Sequence, residues 1–120
     1  MIFYTTIVSC IRNYFEVSCN TAILLMNKKN AVVIDIRDQD EYRSGGIINS
    51  INIPFNSIEK NDWTLKNKKF QDTPLIVVHN NKSSYVIKKY FNKLGFTKVY
   101  ILKGGIYSWK DDNLPLVCKK

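Results

Sequence analysis

Two runs of mostly β-branched aliphatic residues, the first carrying a single acid at Asp35, set the strongest limit on how this chain folds: Ala31-Val32-Val33-Ile34-Asp35-Ile36 and Leu75-Ile76-Val77-Val78. A strand with one wet face alternates apolar and polar residues, so a run without alternation belongs to a strand covered on both sides. Such strands sit in parallel sheets, whose crossover connections lay helices over both faces. The two runs are therefore expected to be adjacent central strands of a parallel sheet. Shorter runs at Ser50-Ile51-Asn52-Ile53-Pro54 and Val99-Tyr100-Ile101-Leu102 supply further strands.

Helical spacing fills the intervals. The clearest helix runs from Ser83 to Leu94, with serines at its start and Gly95 as its stop. Its apolar residues Val86, Ile87, Tyr90, Phe91 and Leu94 recur at steps of three and four. Asn20 to Asn27 points Ile23, Leu24 and Met26 toward a core behind a cap at Ser18 or Asn20. Gln39 to Ser44 ends at Gly45-Gly46, and Ile106 to Asp111, carrying Trp109, follows Gly104-Gly105. Strand and helix alternate, which defines an α/β fold with a mostly parallel sheet.

The bulk figures fit one domain. At 120 residues, with 45% hydrophobic and 23% charged, the chain can bury one core and has the make-up of neither a disordered nor a fibrous protein. Residues 1–14 are expected to form a packed helical extension and 15–120 the domain body. Met1 to Val8 is apolar, but Arg12 and Glu16 interrupt it long before the roughly 20 residues of a membrane span, so none is expected. No basic residue precedes Arg12, which disfavours a signal peptide.

Cys10, Cys19 and Cys118 are few and far apart, without a Cys-x-x-Cys pair, which fits a reducing, cytoplasmic setting better than a disulfide framework. The single histidine, His79, has no clustered ligands, so no metal site and no cofactor are expected. The net charge of +8 invites a nucleic-acid reading, yet only Arg12, Arg37 and Arg43 of the 18 basic residues are arginine. Phosphate and base recognition leans on arginine forks, so the scattered lysines read as solvated surface and nucleic acid as an unfavoured partner.

In an open parallel sheet the ligand site lies beyond the carboxyl ends of the strands. That directs attention to the loop His79-Asn80-Asn81-Lys82-Ser83 and to Ser84, where the clearest helix begins. Unpaired amides at a helix N-terminus, with Lys82 adding charge, make a cradle for a small oxyanion. Ser83 and Ser84 read as helix caps, since no base is placed to activate them. His79 reads as a bystander in the loop, without a nearby carboxylate to orient it, and Trp63 and Trp109 read as core or rim aromatics.

These residues also carry a family pattern. Val33-Ile34-Asp35-Ile36-Arg37, Asp40-Glu41-Tyr42, Gly45-Gly46-Ile47 and Asn49-Ser50-Ile51-Asn52-Ile53-Pro54 resemble the rhodanese motifs Asp-x-Arg, Glu-Tyr/Phe, Gly-His-Ile and Ala-x-Asn-Ile-Pro. Downstream, Leu94-Gly95-Phe96, Val99-Tyr100 and Gly104-Gly105-Ile106 with Trp109 resemble the family's ending. The resemblance spans about residues 15 to 117 and implies a rhodanese-like three-layer fold, a five-stranded parallel sheet between helices. It also implies a cysteine at the start of the loop after the fourth strand, which takes sulfur from a donor, carries it as a persulfide and hands it to a thiophilic acceptor. Sulfur must serve there as nucleophile and as leaving group, so a thiolate is required.

Counting back from Gly95-Phe96 puts Val78 at that cysteine's position, or His79 if the register slips by one. Neither is a thiol. The loop also lacks the glycine and arginine common in active members. Asp35 and Arg37 are expected to fix the loops through hydrogen bonds and a salt bridge with Glu41. The leading expectation is a non-catalytic rhodanese-like domain acting as a protein-binding or regulatory module, with a protein partner for which the +8 charge would suit an acidic surface. The alternatives are a sulfurtransferase using a displaced Cys19 or Cys118, and nucleic-acid binding resting on charge alone.

Overall fold

The computed structural model describes residues 15–59 and 72–118. The expected N-terminal extension (1–14), Cys10 and Trp63 lie outside the described residues. In chain order the elements are β1 (Glu16–Val17), α1 (Cys19–Lys28), β2 (Val32–Asp35), α2 (Gln39–Ser44), β3 (Ile51–Asn52), α3 (Phe55–Glu59), β4 (Leu75–Val78), α4 (Ser84–Lys93), β5 (Val99–Leu102) and α5 (Gly105–Asp111). The five strands form one sheet in the order β1-β5-β4-β2-β3, with every neighbouring pair parallel.

The two aliphatic runs are adjacent, as expected, with Val32 opposite Leu75 and Asp35 opposite Val78. All four residues of β4 are buried. Successive side chains of a strand point to opposite faces, so each run feeds two cores. Leu75 and Val77 join Ile34, Phe55, Ile58, Ile87 and Phe91 on the α3/α4 side. Ile76 and Val78 join Val33, Ala22, Leu102, Ile106 and Trp109 on the α1/α5 side. The result is the three-layer α/β arrangement the sequence implied.

Local sequence explains the element ends. Ser18 caps α1, its hydroxyl accepting from the Thr21 amide at 3.2 Å. Gly95, at φ 97°, closes α4 in a conformation that favours glycine, and the Phe96 amide donates back to the Phe91 carbonyl at 3.1 Å. Two expected core positions face solvent instead. Leu24 is 53% exposed because the buried stripe of α1 runs through Cys19 and Ala22, and two residues on from Ala22 lies near the opposite side of a helix. Val86 is 38% exposed because Ile87 and Phe91 define the inward face of α4.

The sequence pattern did not show β1 or α3. Both are too short for a periodicity to register, although Phe55 and Ile58 stand three apart directly after Pro54, a residue favoured at helix starts. The packing makes a graded prediction. Phe91→Ala, at a fully buried ring between α4 and the sheet, is expected to cost about 3–5 kcal/mol in urea unfolding. Leu24→Ala is expected to stay within about 0.5 kcal/mol.

Candidate functional site

The carboxyl end of β2 is organised by a buried ion pair. Arg37 Nη2 donates to Asp35 Oδ2 at 2.9 Å and Nε to Oδ1 at 3.1 Å, with both side chains nearly inaccessible. The Arg37 amide also donates to Oδ1, at 3.0 Å, and Nη2 reaches the Gly45 carbonyl at 2.7 Å. Asn52 Nδ2 donates to the carbonyls of both Asp35 and Arg37. The pair thus ties β2 to the end of α2, and Asn52 ties β3 to the same stretch of backbone. Burying two charges is favourable only when such bonds replace water, and here nearly every donor and acceptor has a partner.

The expected pairing of Arg37 with Glu41 is not made. Arg37 is committed to Asp35, and Glu41 Oε2 instead accepts from Asn80 Nδ2 at 2.8 Å. This bond joins α2 to the loop after β4. Between them opens a cavity of about 280 Å³, lined by Ile36, Arg37, Asp38 and Glu41 on one side and by His79, Asn80, Asn81 and Lys82 on the other. Phe55 and Asn56, at the start of α3, complete it. Phe55, Asn56 and Asp38 were not singled out in the sequence, the first two because their helix was not recognised.

The loop itself is short. Ser83 occupies the N-cap position of α4, but its hydroxyl makes no capping bond, and Ser84 is the first helical residue. The first-turn amides, which helix geometry leaves without carbonyl partners, are therefore not satisfied by that side chain. Lys82 is exposed, its Nζ 4.7 Å from the centre of the Phe55 ring. Lys82 lines the cavity, whereas Ser83 and Ser84, the other end of the expected cradle, do not.

Val78, counted as the cysteine position, does not face this cavity. The pleat turns its side chain into the core with Leu102, Ile106 and Trp109, with no exposed surface. His79 is the first residue after β4 to line the cavity. It is only 8% exposed, with both ring nitrogens buried and unpartnered. Its carbonyl accepts from the Ile106 amide at 2.8 Å, seating α5 against the loop. Gly105, at φ +61°, permits this approach, since a Cβ there would stand 2.1 Å from the His79 carbonyl oxygen. Burial holds the imidazole pKa below its usual value, partly opposed by the carboxylate of Glu16.

Neither described cysteine lines the cavity. Cys19 is buried on the α1/α5 side, and burial, reinforced by a hydrogen bond to the Asp112 carboxylate and by its charge, pushes its thiol up to about 11. Cys118 donates to the Ser44 carbonyl at 3.1 Å, beside a bridge pairing Val117 with Gly46. A protonated buried thiol and a tethered exposed one are both poor candidates for attack at this loop.

Comparison with known proteins agrees with this geometry. The model of the rhodanese-like domain matches residues 18–112. The chain belongs to the rhodanese-like family. It is similar to an uncharacterized protein of Buchnera aphidicola subsp. Schizaphis graminum, 42% identical over 100 residues that cover 82% of this chain and 67% of the relative. It is also similar to thiosulfate sulfurtransferase GlpE of Coxiella burnetii, 29% identical over 98 residues, covering 81% and 88% of the two chains. Among solved structures, a rhodanese-related protein of Thermoplasma volcanium superposes with a TM-score of 0.69 at 28% identity, covering 87% of this chain and 98% of the other.

Within the rhodanese-like frame, His79 makes a pH prediction. A buried neutral imidazole binds its proton less readily when folded, so acidification favours the unfolded chain. Its contribution to stability is complete above the ordinary value of 6.5 and is lost as pH falls from there toward the lower folded value. The urea midpoint is expected to drop in that window, and His79→Leu to flatten the drop while leaving the carboxylate-driven loss at lower pH in place.

Proposed function

We propose that this rhodanese-like domain does not transfer sulfur and serves as a protein-binding or regulatory module whose loop cradle takes a small oxyanion. The observation that carries the reading is the residue at the loop start. His79 stands where the chain leaves β4 and meets the cavity, and no described cysteine reaches it. An imidazole cannot carry a persulfide, because that step requires a sulfur that is nucleophile and leaving group in turn.

The cradle half of the reading rests on Lys82 and the uncapped first turn of α4. Asp38 and Glu41 share the lining and oppose an anion there, Glu41 held toward the loop by the neutral Asn80 amide, and Arg37 is paired with Asp35. Sulfate titrated into isotope-labelled protein is expected to move the amides of Lys82, Ser83 and Ser84, and Lys82→Ala to weaken the effect. Shifts spread evenly over the surface lysines would remove the support for a cradle.

A second reading has one observation in its favour, the likeness to a relative named as a thiosulfate sulfurtransferase. It would require a displaced cysteine, and the surroundings of Cys19 and Cys118 count against both. As for partners, the net charge of +8 suits an acidic protein by electrostatic steering. The expected setting is cytoplasmic. Among the described residues, no helix is long and apolar enough to cross a membrane.

The deciding experiment is a thiosulfate–cyanide assay with intact-mass detection of a persulfide. The wild-type protein is expected to show neither turnover nor the mass gain of one sulfur atom. His79→Cys is expected to acquire the persulfide, weakly because the loop lacks glycine and arginine, whereas Val78→Cys, facing the core, is not. Wild-type turnover abolished by Cys118→Ser or Cys19→Ser would overturn the proposal.

A further inference from the structure

The outward face of α4 carries features that the cavity does not use. Tyr85 is 61% exposed and Val86 38% exposed, and with Tyr90, Lys89 and Lys93 they line a groove of about 330 Å³. Tyr90 is half-buried and held edge-on against Phe55, with ring centres 5.4 Å apart, which gives the groove a fixed wall. Aromatic and aliphatic side chains gathered on a solvent-facing helix mark contact surfaces more often than isolated apolar residues do.

Charge adds an independent constraint. The ten residues of α4 include Lys88, Lys89 and Lys93 and no acid. Lys88 is committed to the fold, its Nζ donating to the Val99 carbonyl at 2.9 Å. Lys89 and Lys93 form no ion pair with any described residue, so their charges face the groove uncompensated.

We infer that this groove docks an acidic amphipathic segment of a partner protein, with apolar side chains against Tyr85 and Val86 and carboxylates on Lys89 and Lys93. The inference rests on the protein-binding reading above and names its surface. This chain offers no occupant of the right sign. Residues 60–71 contain four lysines against Asp62 alone, and residues 1–14 contain Arg12 and no acid. A second copy, paired two-fold, would set the same lysines against each other. Nucleic acid would meet the lysines but leave the Val86 surface without an apolar partner, and α4 has no arginine to fork a phosphate.

The test uses the full chain and a synthetic peptide alternating Glu with Leu and Phe. The peptide is expected to shift the amides from Tyr85 to Lys93, with an affinity that falls as salt rises from about 50 to about 500 mM. The double variant Lys89→Glu, Lys93→Glu is expected to bind at least about tenfold more weakly. Tyr85→Ala, a change at an exposed side chain, should weaken binding without altering the circular dichroism spectrum. Three results would overturn the inference: unmoved α4 amides, polyglutamate binding as tightly as the peptide, or a single-stranded oligonucleotide displacing it at lower concentration from the same residues. The sulfur assay on the same samples separates the two readings. Turnover together with peptide binding would remove the non-catalytic reading and keep the docking face, and absence of both would do the reverse.

Discussion

The complete burial of β4 is the constraint from which the rest of this molecule follows. Its four side chains are at most 1% exposed, with β2 on one edge, β5 on the other and helices over both faces. With no hydrogen-bonding partner offered on either face, apolar side chains fit there, and at about 25 cal/mol per Å² of buried apolar surface the strand anchors both cores at once. The pleat then assigns Leu75 and Val77 to one core and Ile76 and Val78 to the other. A polar side chain becomes tolerable only where the strand ends. That place is His79, and the cavity lies there for the same reason: it is where the backbone stops filling space.

The Asp35–Arg37 pair is the second fixed point, and its location decides which charges are left for the cavity. Both partners are buried, so removing either would strand the other without water or a counter-charge. Arg37, bonded through Nε and Nη2 to Asp35 and through Nη2 to the Gly45 carbonyl, acts as a brace holding the ends of β2 and α2 together. Glu41 is freed to bind Asn80, which holds the loop after β4 toward α2. Lys82 remains as the cation of the lining with no acidic partner among the described residues. The electrostatic character of the rim is thus set in part by a pair at the end of the neighbouring strand.

How much of this was legible beforehand depended on length and parity. The long aliphatic runs, and helices with glycine or serine at their ends, were readable because each carries a period or a boundary signal several residues deep. A two-residue strand and a five-residue helix carry neither, which is why β1 and α3, and with α3 the cavity residues Phe55 and Asn56, were not seen. The Arg37 partner was misjudged because Glu41 is one helical turn away in sequence while Asp35 is adjacent along the strand end. Which residue opens the loop after β4 turned on a single step of register. Counting along α4 favoured Val78, whereas strand parity forces Val78 inward with Ile76 and leaves His79 at the opening.

His79 then bears on what the cavity can do. A buried polar group without a partner costs on the order of 1–3 kcal/mol, and an apolar residue of similar size would avoid that cost. The penalty falls on the neutral ring; protonation would add the larger cost of a buried cation, which is why its pKa is lowered. A neutral imidazole with both nitrogens shielded is poorly placed to take a proton from a substrate or to attack one. Besides His79 the lining carries Lys82, the side chains of Asn80 and Asn81 and the carboxylates of Asp38 and Glu41, and no described cysteine. None of these groups can be both nucleophile and leaving group for sulfur, so the proposed function rests on the residue at the loop start, and the proposed oxyanion on Lys82 against the neighbouring carboxylates.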